Sequence, residues 1–299
     1  MKWIVISGWL SAMLFFQYRG LVRAPWKKVF FDHSALLAPI NALMVLFSKA
    51  PTTPFVPLQH FPELKPILEN WHVFRDEATQ LMEAKRISAA TGHNDIGFNS
   101  FFKYGWKRFY LKWYEVEPDS AKALCPKSVA LLKTVPSIKA AMFAELPPGG
   151  KLNAHRDPYA GSLRFHMGLI TPNSDDCWIR VDGQTYSWRD GEATVFDETY
   201  IHEARNDSSQ TRVILFCDVE RPIWFWPVAV LNRFFGRWVM SAASSPNQTQ
   251  DQTGWINKLA HLQHKLEEGR KALKGKSKSL YMLLKLVLLG IVFTLFITA

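Results

Sequence analysis

The chain has 299 residues, with 36 lysines and arginines against 26 aspartates and glutamates, 12 tryptophans, 21 phenylalanines and 3 cysteines. With 48% hydrophobic and 21% charged residues it is not a disordered polar chain, and its 3 widely spaced cysteines exclude a disulfide scaffold or a Cys-x-x-Cys zinc site. The formal net charge of +10 favours an anionic partner, and the abundance of Trp and Phe favours a membrane surface over a nucleic acid.

The N-terminal segment 1–20 is predicted to be a membrane anchor. Its residues 3–18 carry no charge. Four basic residues follow directly: Arg19, Arg23, Lys27 and Lys28. A secretory signal peptide is the alternative, but it requires a small-residue cleavage site where the chain has Gln17 and Tyr18. A spanning helix needs about 17–25 residues, so this segment is expected either to span a thin bilayer or to lie partly in it.

The C-terminal segment 279–299 is predicted to be a transmembrane helix. It is apolar apart from Lys285, which lies close enough to one end to reach the interface. A basic cluster precedes it: Arg270, Lys271, Lys274, Lys276 and Lys278. Basic residues flank bilayer spans on the cytoplasmic side, so this cluster and the one at 19–28 both place the body of the protein in the cytoplasm.

Within the membrane-proximal segment 21–59, a shorter apolar stretch from Ala35 to Phe47 is interrupted by Pro39 and Asn41. At this length it is expected to be interfacial or packed rather than spanning.

Segment 223–278 is predicted to contain an interfacial stretch, a linker at 241–254 and a basic juxtamembrane helix. Trp and Phe are interleaved with Arg233 and Arg237, as in a helix that lies among lipid headgroups. An aromatic lid on an ordinary core is the alternative for this stretch. The linker is predicted because residues 241–254 show no periodicity.

The body of the chain is predicted to be mainly β. Apolar residues recur at helical spacing from Leu64 to Met82, which indicates one amphipathic helix. From Ala140 onward, short aromatic and β-branched runs are separated by turn sequences such as Asp182-Gly183 and Asp190-Gly191. Five or six strands with tight turns between them predict an antiparallel sandwich or barrel.

Two histidines have an aspartate two residues later, a spacing that puts both side chains on one face of a strand. His93 and Asp95 lie in a loop-like run outside the β-rich region, whereas His155 and Asp157 lie inside it. His202 follows 47 residues after His155, at the end of another strand. Two histidines and one carboxylate form the facial triad that suits non-haem Fe(II). His155, Asp157 and His202 are therefore the predicted metal ligands and catalytic residues.

Three cationic or titratable side chains accompany this triad. Arg212 opens a strand ten residues after His202, where a guanidinium is suited to binding a keto-acid carboxylate through a bidentate pair. In the run 163–169, apolar residues alternate with Arg164 and His166, so a strand there places both on one face. Cationic side chains that point into a barrel require an anion, because an unpaired buried charge is costly.

These motifs resemble the aspartyl/asparaginyl β-hydroxylase family of Fe(II)- and 2-oxoglutarate-dependent dioxygenases. The resemblance covers roughly residues 60–222, and the overall layout is most similar to the bacterial lipid A 2-hydroxylase branch. It rests on these features: His155 to Asp157, the LRFHMGL run from Leu163, the strand 191–196, His202-Glu203, Arg212 and the FDHSALLAPINALMVLFSKAP run near the start.

The resemblance implies a double-stranded β-helix of the jelly-roll or cupin-like kind, with a β core at about 138–222, flanking helices and terminal membrane helices. It implies iron on His155 and His202, and 2-oxoglutarate on Arg212 with Arg164 and His166. The animal protein hydroxylases of the family have glycine where this chain has Asp157, so the acidic ligand is inferred from the residues alone. A serine that helps to bind 2-oxoglutarate in those enzymes falls by spacing at Ala144.

The expected reaction is hydroxylation at C2 of a lipid A acyl chain, with Fe(II), 2-oxoglutarate and O2, at the cytoplasmic face of the bacterial inner membrane. Basic flanks and aromatic segments suit a phosphorylated, acylated glycolipid. A membrane-anchored aspartyl/asparaginyl protein β-hydroxylase is the main alternative. An inactive cupin-like binding module is a second alternative, against which the complete set of site residues argues.

Overall fold

The protein is described from a computed structural model, over residues 2–29, 33–90, 95–259 and 277. The helices are α1 (Lys2–Tyr18), α2 (Trp26–Val29), α3 (His33–Leu46), α4 (Lys65–Glu69), α5 (Trp71–Glu83), α6 (Asp119–Leu124), α7 (Pro126–Lys133) and α8 (Trp226–Phe235). The strands are β1 (Phe55–Val56), β2 (Lys107–Trp113), β3 (Ile138–Leu146), β4 (Lys151–His155), β5 (Ser162–Ile170), β6 (Cys177–Val181), β7 (Gln184–Ser187), β8 (Ala193–Phe196), β9 (His202–Asn206) and β10 (Arg212–Glu220).

The strands form two antiparallel sheets. One sheet has the order β1-β8-β5-β10-β3-β2, and the other has the order β4-β9-β6-β7. From β3 to β10 the chain crosses repeatedly from one sheet to the other, so that strands distant in sequence become neighbours. This is the strand order of a jelly roll. The predicted mainly β jelly-roll architecture is confirmed, and strands β3 to β10 run from Ile138 to Glu220.

The central strands β5 and β10 are buried on both faces. Their alternate side chains therefore point to two different buried environments. Leu163, Phe165 and Met167 pack with α5 and α7 in an apolar cluster on the outer face of the larger sheet. The alternate residues, among them Arg164 and His166, face the interior between the two sheets. The two cationic or titratable side chains therefore share the interior face, as the alternation predicted.

Residues 64–82 form two helices where the periodicity predicted one. Helix α4 ends at Glu69 and α5 begins at Trp71, on either side of Asn70. The side-chain amide of Asn70 donates a hydrogen bond to the carbonyl of Pro66 at 2.8 Å. This bond occupies a carbonyl that the next helical turn would use, and such local competition favours a break.

Residues 241–254, predicted as a linker, instead pack against β2. Asn247 exchanges hydrogen bonds with the backbone of Tyr110 at 2.7 and 2.8 Å, and the carboxylate of Asp251 accepts bonds from Ser120. The absence of periodicity therefore indicated a linker wrongly, because Asn247 forms hydrogen bonds with the edge strand β2 of the sheet.

The N-terminal helices α1 and α3 pack with α8 around a third apolar cluster that includes Phe16, Met44 and Val228. Helix α1 has 17 residues, and within the described part of the chain no helix is long and apolar enough to cross a membrane. The predicted transmembrane segment 279–299 lies outside the described residues.

The close contact between Gly168 of β5 and the backbone of Arg189 provides a test of the fold. A Cβ added at Gly168 would collide with the main-chain carbonyl of Arg189. We expect Gly168→Ala to lower the free energy of unfolding by about 1–3 kcal/mol in urea denaturation. Gly97→Ala is the matched control, since no heavy atom lies within 4 Å of the added methyl group. Equal losses in the two variants would contradict the described packing.

Candidate metal and cosubstrate site

The predicted metal ligands come together where β4 meets β9. His155 ends β4 and His202 begins β9, and the two are direct partners in the antiparallel register. Their ring centroids lie 4.3 Å apart, and Asp157 follows two residues after His155. Ligand atoms of all three residues lie within 4.8 Å of one another. The jelly roll thus brings together residues that are 47 positions apart.

Backbone carbonyls orient both imidazoles. Nδ1 of His155 lies 2.7 Å from the carbonyl oxygen of Asn153, and Nδ1 of His202 lies 3.0 Å from that of Tyr200. Because a carbonyl only accepts, each Nδ1 carries the proton, and each Nε2 keeps a free lone pair. This tautomer is the one that a metal-binding histidine needs.

The protonation states suit a divalent cation. Burial, together with the neighbouring His155, lowers the pKa of His202 to about 3, so its imidazole is neutral at neutral pH. Burial acts to raise the pKa of Asp157, but the Arg164 guanidinium and the two histidines outweigh it and lower this pKa to about 2. The neutral imidazole of His202 and the ionised carboxylate of Asp157, together with the His155 imidazole beside them, match the donor set of non-haem Fe(II).

Arg164 contacts three carboxylates of the protein. Its Nη2 donates a hydrogen bond to Asp157 Oδ2 at 2.8 Å and forms an ion pair with Glu198. Its Nε lies 2.9 Å from Asp218 Oδ1. The anion that the sequence pattern required near Arg164 is therefore supplied by the protein. Arg164 also fixes the position of one carboxylate oxygen of Asp157. The predicted contact of Arg164 with 2-oxoglutarate stays a prediction.

Arg212 and His166, in contrast, have unsatisfied polar atoms. Arg212 is 1% exposed, and within the described residues its Nε and Nη2 have no hydrogen-bond partner. Neither ring nitrogen of the buried His166 has one. Burial lowers the pKa of Arg212 to about 10, which still leaves the guanidinium charged at neutral pH. A buried cation without a partner is costly, so these atoms are suited to an anionic ligand.

Trp188 is a further site residue that the sequence analysis did not identify. Its ring lies 4.4 Å from Cζ of Arg212, and its buried indole Nε1 also has no hydrogen-bond partner in the part of the chain described. Trp188, Arg212 and His166 line the same cavity as the metal triad. Nothing in the local pattern distinguishes Trp188 from the other tryptophans.

Two other positions from the sequence analysis are placed by the structure. Asp95 forms a buried ion pair with Arg108 at 2.8 Å and accepts a hydrogen bond from Tyr110. It therefore has a structural partner, while His93 lies outside the described residues. Ala144 of β3 is buried and pairs with Ile214 of β10. It has no hydroxyl group with which to replace the 2-oxoglutarate-binding serine.

The loops that carry the site are held by the N-terminal helices. Asn41 of α3 donates a hydrogen bond to the carbonyl of Pro158 at 2.8 Å and accepts one from the backbone of Ala160 at 2.9 Å. Arg19, just after α1, forms an ion pair with Asp197 at 3.2 Å. The segments next to Asp157 and next to His202 are thus both fixed from the N-terminal side.

Residues 68–222 match the family model described as aspartyl/asparaginyl beta-hydroxylase. The chain therefore belongs to this family. The ornithine lipid ester-linked acyl 2-hydroxylase of Rhizobium tropici is 43% identical over 119 residues, which are 40% of this chain and 42% of that protein. Human aspartyl/asparaginyl beta-hydroxylase is 28% identical over 165 residues, which are 53% of this chain and 21% of the human protein.

The chain thus covers less than half the length of either of these two family members, both of which are hydroxylases by name. Among solved structures, a Pseudomonas putida prolyl-4-hydroxylase is similar at 14% identity and a TM-score of 0.35, covering 61% of this chain and 98% of that one.

The buried neutral histidines of this family member predict a particular response to acid. Burial, with Arg164 and Arg212 nearby, lowers the pKa of His166 well below its usual value. The unfolded chain therefore takes up a proton on this residue first, and stability falls as pH drops through about 6.5. His166→Asn should reduce the loss of unfolding free energy between about pH 7 and about pH 5 by roughly 2 kcal/mol.

Urea denaturation of the metal-free protein at the two pH values measures this loss. Trp188→Phe is the control, because it alters the same cavity without removing a titratable group. An unchanged pH dependence in His166→Asn would show that His166 is not neutral in the folded protein.

Proposed function

We propose that this protein is an Fe(II)- and 2-oxoglutarate-dependent dioxygenase that hydroxylates C2 of a membrane-lipid acyl chain. One observation carries the proposal: an oriented His155, Asp157 and His202 triad shares its cavity with a buried, unpartnered Arg212. The triad suits a divalent iron, and the guanidinium suits the distal carboxylate of a keto-acid.

The residues of the chain have separable tasks in this reaction. The carbonyls of Asn153 and Tyr200 hold the two imidazoles with Nε2 available for the metal. Arg164 holds the outer oxygen of Asp157 and keeps this carboxylate ionised. Arg212 would bind the cosubstrate carboxylate, with His166 and Trp188 as further polar neighbours.

Aromatic side chains enclose the site. The Phe101 ring centroid lies 4.8 Å from that of His155, and Phe196 and Phe216 flank His166 at 5.0 and 5.1 Å. Such walls exclude water and strengthen the electrostatic interactions inside the cavity. Bound iron, with 2-oxoglutarate and O2 as cosubstrates, would supply the oxidising chemistry: one oxygen atom of O2 would enter the hydroxyl group that replaces a C–H hydrogen, and the other would enter succinate, with CO2 released.

The substrate proposal is supported by the Rhizobium tropici relative, whose name assigns it the 2-hydroxylation of an ester-linked acyl chain of an ornithine lipid. We propose lipid A, at the cytoplasmic face of the bacterial inner membrane, because the cationic segments of this chain suit a phosphorylated glycolipid. An ornithine lipid is the second candidate, since the same relative matches at 43% identity.

Arg212 provides the test of the cosubstrate assignment. We expect Arg212→Ala to weaken 2-oxoglutarate binding by about 10–100-fold, because a charge-assisted contact of about 1.5–3 kcal/mol is lost. Mn(II) affinity should change by less than about threefold, since Arg212 is not among the predicted ligands. Calorimetry with Mn(II) in place of Fe(II) measures both.

Arg189→Ala is the matched control, because Arg189 pairs with Asp175 at the surface. Equal losses of cosubstrate and metal affinity in Arg212→Ala would indicate a structural role for Arg212. Absence of Fe(II)-dependent conversion of 2-oxoglutarate to succinate by the intact protein would instead favour a binding module.

Lipid mass spectrometry tests the substrate. Cells that express the protein should contain lipid A whose acyl chains are heavier by one oxygen atom, with fragmentation placing the hydroxyl at C2. Cells that express His155→Ala, which lacks one predicted ligand, should not. Modified ornithine lipid with unmodified lipid A would select the second candidate. Unmodified lipids, together with intact 2-oxoglutarate turnover, would direct attention to aspartyl or asparaginyl residues of proteins.

A further inference from the structure

Helix α8 turns an aromatic stripe outward. Its buried side is formed by Val228, Asn232 and Phe235. The exposed residues recur every three or four positions through the helix and the π-helical turn Gly236–Met240 that follows: Trp226, Val230, Arg233, Phe234, Arg237 and Trp238. Trp226 is 73% exposed and Trp238 is 60% exposed. An ordinary surface helix directs its polar side outward, so the exposed stripe requires a partner.

Helix α3 presents a second outward stripe, and it is purely apolar. Leu36, Pro39, Leu43 and Leu46 are exposed at helical spacing, with Leu36 and Leu46 each at 69%. Helix α1 adds exposed apolar side chains along its first half, among them Trp3 at 79% and Ile4 at 77%.

The three helices belong to one body. Trp9 of α1 donates a hydrogen bond from its indole to the carbonyl of Ala35 in α3 at 2.6 Å. Phe47, just after α3, packs against Trp224 and Phe225 at centroid distances of 5.1 and 4.8 Å. We call the exposed residues of α1 and α3, together with Trp224 and the α8 stripe, the helical face.

The charge on these elements has one sign. Residues 2–29, 33–50 and 223–250 contain no aspartate or glutamate. Arg23, Arg233 and Arg237 are exposed on them, and Arg233 forms an ion pair with Glu220 of β10 at 3.3 Å. Basic side chains interleaved with Trp and Phe are typical of helices that lie in the interfacial region of an anionic bilayer.

We propose that the helical face is seated in the headgroup and upper acyl region of an anionic lipid bilayer. A second copy of the chain is a poorer occupant, because two cationic faces would repel each other and these elements contain no carboxylate for pairing. A bilayer accepts the apolar stripes and neutralises the arginines together.

This seating places the bilayer next to the site. Asn41, on the buried side of α3, binds the segment that follows Asp157, and Arg156 donates a hydrogen bond to the carbonyl of Phe16 in α1 at 3.2 Å. Arg19 binds Asp197 in the loop that leads to His202. A lipid chain that leaves the bilayer beside this face is therefore separated from the ligand-bearing loops by a single layer of helices. Only this last step rests on the proposed function.

Depth measurement by site-directed spin labelling tests the seating. The cysteines at 125, 177 and 217 are all buried, so one introduced surface cysteine is labelled selectively. We introduce Trp226→Cys or Leu46→Cys on the helical face, in two separate proteins, so that misfolding of one variant does not remove the test. Asp175→Cys is the control, in an exposed loop beyond the opposite end of β5 from the end that contacts α8.

The full-length protein is bound to vesicles of phosphatidylcholine with phosphatidylglycerol. For both face labels, the ratio of oxygen accessibility to accessibility of a water-soluble nickel reagent should rise by about fivefold or more on vesicles, equivalent to about 1 kcal/mol. The Asp175→Cys label should stay as accessible to nickel as in solution. Face labels that remain as water-accessible as the control on vesicle-bound protein would overturn the proposal. So would face labels already immobilised without vesicles, which would assign the face to a protein contact. Neither result depends on catalytic turnover.

Discussion

The buried guanidinium of Arg164 is the interaction on which the site depends. It extends from β5 into the space between the sheets and contacts Asp157 after β4, Glu198 after β8 and Asp218 on β10. Burial raises the pKa of both Glu198 and Asp218, and the Arg164 guanidinium acts against this shift at both carboxyl groups. Removing one partner from such a buried arrangement typically costs about 3–5 kcal/mol. The same contact that stabilises the interior also orients Asp157, the predicted acidic metal ligand.

Two buried arginines of the same cavity thus have opposite surroundings. Arg164 is surrounded by carboxylates of the protein, whereas Arg212 lies against the Trp188 ring with two nitrogen atoms unsatisfied within the described structure. Arg164 therefore holds Asp157 in place. Arg212, in contrast, has nitrogen atoms that are available to bind an anion. This difference agrees with the proposal that one end of the cavity binds an anion and the other end a metal ion.

The N-terminal helices belong to the same folded body as the candidate site. Through Asn41 and Arg19 they contact the segments that carry Asp157 and lead to His202. Asp197, which Arg19 contacts, is also bound by the fully buried Arg221 at 2.9 Å, so the contact extends into the core. The exposed helical face and the candidate metal site therefore share a single set of loops.

Much of this arrangement could be predicted from the sequence, and the rest could not, for a definite reason. Turn dipeptides and period-two alternation predicted the β core. The spacing of His155 and Asp157 predicted two neighbouring side chains on one strand, whereas the structure ends β4 at His155 and places Asp157 just after it. A sequence pattern of this kind predicts which side chains of a strand lie on the same face and whether that face is buried. It does not report which distant segment lies opposite, because strand partners in a jelly roll are set by the packing of the two sheets.

Only the tertiary structure therefore decided that His202 pairs with His155, that Arg164 is neutralised while Arg212 is not, and that Trp188 joins the site. The same applies to residues 241–254, whose absence of periodicity indicated a linker until β2 supplied the partners of Asn247. What the sequence by itself determined was the chemistry available on each face. The tertiary structure determined which of those polar groups have a hydrogen-bond or ion-pair partner within the protein. Such partners come from segments that are far away along the chain.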